Sequence, residues 1–532
     1  MRRTLALALV LLALSRGNAV AQASDETLVP QGSLRLQFNP SFTAWDRRFG
    51  KHTEGGELIS AEEALGSDLT DESGAVLFPA VADLEDHLRA LSGNGTYSGV
   101  LGATSGRVSQ DVTRIDLGAH VGVFDWFTIG VVVPLVKTHT SVDVAVRQNG
   151  VGSDLGINPT VSETNAVQSF LDGLSGAQAS SLARAETLCS ADPASGACSA
   201  AQSLASQVGY FSDSSEGAYF ASAFFPVQGS SIARSLADAA TSLDGELVDA
   251  GLGGIGAPMV FATELLTEQS LVGAPSAGAF GIDGSPLQGL NSLWVLGDVE
   301  VSALGRLLDG EVRDSSSLTP RVSYSLAAGV LARLGTGSID AHDIFLDVGT
   351  GDGQMDIEAR VLALLGLGDR VVIHLGLRYG VQQSLSLLRR VAPRELVMPP
   401  ANTLRAVRWT PASYIGVDVE PVWRLSPELS ASASYRLYSK GIDSYAILGD
   451  EVKGSPQVDI SDLERESGAT VHRAGLGLRY STVEPWRAGE ASRPLELHVR
   501  VVSSLAGSGG HTPVATTVEF GIRFFRAIWG GA

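Results

Sequence analysis

Val371–Tyr379, VVIHLGLRY, is the stretch that decides the fold. His374 and Arg378 occupy one phase of a two-residue period, and Val371, Ile373, Leu375, Leu377 and Tyr379 occupy the other. That period belongs to an extended strand whose two faces meet different surroundings. The same separation recurs on either side. In Asp116–Val123, Asp116 and His120 alternate with Leu117, Ala119, Val121 and Val123. In Leu495–Val501, Glu496, His498 and Arg500 alternate with Leu495, Leu497, Val499 and Val501. Twelve strands are predicted, at 32–45, 107–122, 126–146, 291–307, 319–335, 353–367, 370–384, 405–425, 427–443, 470–485, 493–506 and 513–527. A soluble half-buried sheet has this period too, but it shares its apolar face with helices or a second sheet. When nearly every strand separates charge from hydrocarbon, a barrel closed in lipid satisfies them all. The expected fold is therefore all-β, an antiparallel transmembrane β-barrel of about twelve strands.

Lys or Arg facing the bilayer midplane costs roughly 2–4 kcal/mol, so the charged phase has to point inward. Candidate lumen-lining residues are Arg114, Asp116 and His120; Asp298, Glu300 and Arg306; Asp356, Glu358 and Arg360; His374 and Arg378; Asp418, Glu420 and Arg424; and Glu496, His498 and Arg500. In the strands at 291–307, 353–367 and 405–425 acids and bases share that face. They either line a narrow charged channel or pair across strands and fill the interior. Aromatic residues such as Trp45, Trp126, Trp294, Trp423 and Phe524 fall near predicted strand ends, where membrane interfaces place them.

The chain opens with Arg2 and Arg3, an apolar run Leu5–Leu14 and small residues at Ala19, Ala21 and Ala23, the pattern of a signal peptide over residues 1–23. Export through such a leader implies the outer membrane of a Gram-negative-type envelope, with its lipids and the barrel-assembly machinery as partners. The net charge of −20, from 58 acidic against 38 basic residues, argues against nucleic acid as a partner. Cys189 and Cys198, the two cysteines of an exported chain, are expected to form a disulfide.

Connections alternate in length. Asp125, Gly368-Asp369-Arg370 and Ser426-Pro427-Glu428 mark tight turns, whereas 47–106, 147–290, 336–352, 385–404, 444–469 and 507–512 form the other set. Short turns on the periplasmic side and long loops outside are the habit of outer-membrane barrels. The chain thus divides into the leader 1–23, first barrel strands within 24–146 carrying the acidic loop 47–106, the insert 147–290, and the remaining strands in 291–532. Ala80–Leu91 reads as a short amphipathic helix. The insert is rich in Ala, Ser and Gly, with helices expected near Ala166–Leu174, Ala177–Leu188, Ala200–Val208, Ser231–Leu243 and Val260–Gln269. It either caps the barrel outside or folds into the lumen as a plug.

Three segments resemble the outer-membrane barrels grouped as the MetA-pathway of phenol degradation, or transporter, family. They are Ile115–Leu135 (IDLGAHVGVFDWFTIGVVVPL), Leu296–Leu308 (LGDVEVSALGRLL) and Asp347–Leu365 (DVGTGDGQMDIEARVLALL). The resemblance covers about half the chain, leaves the insert unmatched, and implies a transport-like barrel for small hydrophobic or aromatic solutes.

Signatures of catalysis are missing. His120, His374 and His498 fall in the inward phase rather than on a barrel surface beside a reactive serine, and His52, His342 and His511 sit in loops without a protease pattern. Asp347, Asp352 and Asp356 lack the spacing and terminal Glu of a calcium loop. No zinc, phosphate-loop or nucleotide signature appears, so neither enzyme chemistry, a metal nor a cofactor is expected. The function expected is passage of small solutes through a narrow charged lumen. The alternative is a non-transporting surface barrel whose long loops bind a partner.

Overall fold

The computed structural model describes residues 28–529, apart from 55–56, 70–73, 75–77, 79, 148–152, 266–289, 313–321, 343–346, 393–402, 450–456, 466 and 510–511. Twelve strands form its wall: β1 (Ser33–Trp45), β2 (Ala103–Phe124), β3 (Phe127–Arg147), β4 (Val299–Val312), β5 (Val322–Leu334), β6 (Asp356–Leu367), β7 (Val371–Gln382), β8 (Tyr414–Arg424), β9 (Leu429–Lys440), β10 (Ala469–Ser481), β11 (Leu495–Ser508) and β12 (Thr516–Ala527). Each pairs antiparallel with its sequence neighbours, and β1 pairs with β12, so the ring closes. The expected twelve-stranded antiparallel barrel is what forms. Closure leaves no unpaired edge, which a spanning sheet in lipid requires.

The outward phase carries the exposed apolar residues: Leu36 and Phe38 on β1, Leu375 and Leu377 on β7, Leu476 and Leu478 on β10, Phe520 and Phe524 on β12. A water-soluble protein does not expose such a continuous band, and the barrel is an outer-membrane one. Strands β2 and β3 have 22 and 21 residues, about twice the 9–11 that cross a bilayer. Their far ends therefore rise beyond the lipid. There the outward phase turns polar, with His139 Nδ1 2.9 Å from an Asp111 carboxylate oxygen.

Local sequence explains the irregularities. Gly368, at φ 63°, supplies the left-handed residue of the turn between β6 and β7. Ser426 Oγ accepts from the Glu428 and Leu429 N–H groups in the turn between β8 and β9. Pro40 and Pro421 have no N–H to donate. The β1–β12 register accordingly skips Asn39–Pro40, and the β8–β9 register skips Glu420–Pro421. A register shift between Arg306 and Leu308 moves the apolar phase within β4.

Three predicted boundaries change. The strand expected at 291–307 is interrupted: Leu290–Asn291 and Val295–Leu296 pair briefly with β3, and the continuous strand runs from Val299 to Val312. The segment expected as 405–425 is two strands: Tyr414–Arg424 joins the barrel, and Leu404–Thr410 pairs with Leu385–Arg390 and Ser444–Ile447 in a loop sheet. The acidic loop after β1 begins as a hairpin, Arg47–Glu54 with Glu57–Ala64.

Helices α1 (Ala80–Ser92), α2 (Thr164–Ala191), α3 (Gly196–Ala221) and α4 (Ser231–Asp249) build a second apolar core. On α1, Val81, Leu84, Leu88 and Leu91 recur at helical spacing and are buried. They share one cluster with Phe170, Leu174, Val208, Phe211, Tyr219 and Leu236. The loop after β1 and the insert after β3 thus fold as one body. Residues 260–265, expected to be helical, are not, and the remainder of that stretch lies outside the described residues, as does the leader. Cys189 and Cys198 are joined at the α2–α3 tip. The wall residues packed against this body are Trp45, Val108 and Val142, all in the inward phase at the strand ends opposite the tight turns. The helical body therefore sits against the inner rim of the mouth opposite the tight turns.

Candidate functional site

The inward phase contains the ionisable residues, and register places them at matching levels. Glu358 on β6 has no solvent exposure. Its carboxylate accepts from Arg360, from Arg333 (3.4 Å) and from the Tyr414 hydroxyl (2.6 Å). Arg333, on β5, also donates to that hydroxyl (2.8 Å) and to Glu300 (3.2 Å). Glu300 lies 3.7 Å from Arg114, which holds Asp116 at 2.7 Å. A chain of charges thus runs from β2 to β6 and crosses to β8.

A second group occupies the facing wall. Arg500 on β11 reaches Glu420 on β8 and Glu519 on β12, each at 3.2 Å. Arg378 holds Asp418 at 3.0 Å, and Arg436 stands 3.7 Å from Asp418 and 3.8 Å from Glu519. A third group joins Glu496 to Arg523 (3.1 Å) and Arg479 (3.4 Å). Strands three places apart are about 14 Å apart along the wall. Side chains that link β8 to β11, or β9 to β12, therefore meet through the interior. Buried pairs of this kind are weak evidence for added stability. Their consequence here is occupancy, because they divide the interior.

Glycines make room for the larger groups. A Cβ at Gly521 would lie 1.9 Å from the His498 ring, one at Gly380 2.1 Å from the Tyr414 ring, and one at Gly130 2.1 Å from His120. Each ring lies flat over the neighbouring strand's backbone, where only hydrogen fits. Between the ion pairs is a cavity of ≈ 190 Å³ lined by Leu362, Leu364, His374, Arg378, Asp418, Glu420, Arg436 and Arg500. Smaller voids of ≈ 30 and ≈ 20 Å³ lie beside His120 and His498.

Not every candidate joins these groups. Asp298 precedes β4, and its carboxylate accepts from the Gly337 (2.8 Å) and Asp352 (3.0 Å) N–H groups, pinning a loop. Arg306 donates to the Asp125 carbonyl (3.0 Å) and Arg424 lies 3.8 Å from Glu484, both at the turn end of the barrel. Asp356 is 3.9 Å from Arg333, at the edge of the first group. His374 is buried, and neither ring nitrogen has a hydrogen-bond partner among the described residues. Sequence reasoning passed over Arg35, Arg333, Tyr414, Arg436, Arg473, Arg479, Glu519 and Arg523. The signal was present, since Leu34-Arg35-Leu36 and Ile522-Arg523-Phe524 alternate like the quoted strands. Among the described residues, no group of three or more His, Cys, Asp or Glu is placed to hold a metal ion, and no helix is long and apolar enough to cross a membrane.

No family model matches the chain, and no curated protein sequence does. Solved structures do resemble it. The COG4313 outer membrane channel from Pseudomonas putida F1 aligns over 95% of this chain and 100% of its own at 8% identity, with a TM-score of 0.40. The P. putida toluene transporter TodX aligns over 93% and 91% at 8% identity, with a TM-score of 0.28. The translocator domain of the autotransporter NalP from Neisseria meningitidis aligns over 92% and 87% at 7% identity, with a TM-score of 0.26.

Proposed function

We propose that this barrel passes small solutes across the outer membrane along a narrow charged interior, and that the body formed by residues 47–106 and the insert 147–290 controls entry from outside. The observation that carries the reading is the ≈ 190 Å³ cavity held open between ion pairs inside a closed barrel. A barrel serving only as a surface anchor gains nothing from such a space. The seat of the helical body on Trp45, Val108 and Val142 supports its role as a gate, because these residues belong to the inner rim.

A second reading, a barrel that transports nothing and presents its loops to a partner, is favoured by the ion pairs that cross the interior. Conductance in planar bilayers separates the two. Replacing both 66–101 and 148–289 with short Gly/Ser turns removes the helical body without stranding half of its apolar core. Discrete openings that grow in this variant support passage. A silent barrel that still migrates as a folded species favours the surface reading.

A further inference from the structure

The geometry points to an interior site for the carboxylate of a small organic monoanion with an apolar body, formed by Arg378, Arg436 and Arg473 beside the ≈ 190 Å³ cavity. The inference names a solute class for the passage proposed above, and rests on that reading only for the solute's transit.

Charge accounting carries it. Arg436 on β9 and Arg473 on β10 are direct cross-strand partners. Like charges so placed destabilise an antiparallel pair unless something between them is anionic. Among the described residues Arg473 makes no hydrogen bond or ion pair. Arg436 meets its carboxylates only at 3.7 and 3.8 Å, beyond hydrogen-bond length. Beside the Arg500–Glu420 pair, three guanidiniums, those of Arg378, Arg436 and Arg473, share two carboxylates, those of Asp418 and Glu519. One positive charge is left over inside a chain whose net charge is −20.

Size and lining define the rest of the ligand. A void of roughly 150 Å³ accepts a molecule the size of benzene, so ≈ 190 Å³ leaves space for one ring and a small substituent. Leu362 and Leu364 offer the ring an apolar wall, and the planar arginine forks suit a carboxylate in two-point contact. A single negative charge cancels the surplus.

The test uses the full mature chain in detergent, with benzoate and its neutral counterpart benzamide as calorimetric probes. Benzoate should bind about tenfold or more tightly than benzamide, and Arg473→Gln and Arg436→Gln should each weaken benzoate by a similar factor without altering folded migration. Equal affinity for the two probes would overturn the site, as would benzoate binding unchanged in both variants or equal competition by chloride. Should either variant fail to assemble, the benzoate–benzamide comparison on the unaltered chain decides. Benzoate binding by a barrel that conducts nothing would keep the site and refute the passage; conductance without benzoate binding would do the reverse.

Discussion

Leu88→Ala tests whether the helical body is a folding unit separate from the barrel. Leu88 is fully buried on α1, in the same cluster as Phe170, Val208 and Tyr219 from the insert. Truncating a core leucine costs about 2–5 kcal/mol, the spread depending on how far the site collapses. Taking ~3 kcal/mol, the opening equilibrium of the helical body rises roughly 150-fold. Arg184 and Arg234 lie exposed on α2 and α4, and trypsin cuts them once those helices open. Under conditions where closing outpaces cleavage, the rate tracks the open population. Cleavage should therefore accelerate by about two orders of magnitude, while the barrel keeps its heat-sensitive migration on gels. The reasoning fails if cleavage at both sites is unchanged, since α1 would then contribute nothing to the insert. It fails equally if barrel and helices are lost together, since the two cores would be one.

Four further outcomes follow from the geometry. Glu358→Gln leaves Arg333 and Arg360 without their buried carboxylate and should destabilise the barrel by about 3–5 kcal/mol, read as a lower unfolding midpoint in denaturant. Gly521→Leu should block assembly, because its side chain enters the His498 ring, and adding His498→Ala should restore folded migration. Removing the disulfide with Cys189→Ser and Cys198→Ser should loosen the α2–α3 tip by about 2–3 kcal/mol, so that trypsin cuts Arg184 faster and Arg234 at its former rate. Burial holds the Asp154 carboxyl above its ordinary range, against the pull of the Val100 N–H. The folded body therefore binds that proton more tightly than the unfolded chain does. Its protease resistance should fall as pH rises from the ordinary carboxylate range through the raised value, and Asp154→Asn should flatten that part of the profile.

Strand existence and facing were legible because lipid imposes one rule on every residue of the wall, and a period of two records it locally. His374 and Arg378 reveal their side of β7 without reference to any other strand. Boundaries were less legible where backbone chemistry interrupts the period, as at the register shift after Arg306, or where one apolar run serves two sheets, as at 404–424. The helix on Ala80–Ser92 could be read from its stripe, but not the partner of that stripe, which lies in the insert. Asp298 has the phase of an interior residue and instead holds loop backbone, because it falls in the break between Val295–Leu296 and Val299–Val312, the two stretches that pair with β3.

By itself the sequence determined that the chain forms a lipid-exposed barrel with a charged interior, since alternation between hydrocarbon and water is a property of consecutive residues. Tertiary structure alone decided which charges meet. Arg500 finds Glu420 three strands away, and Arg473 is left beside Arg436, because closing the ring sets distances across a lumen that no linear pattern encodes.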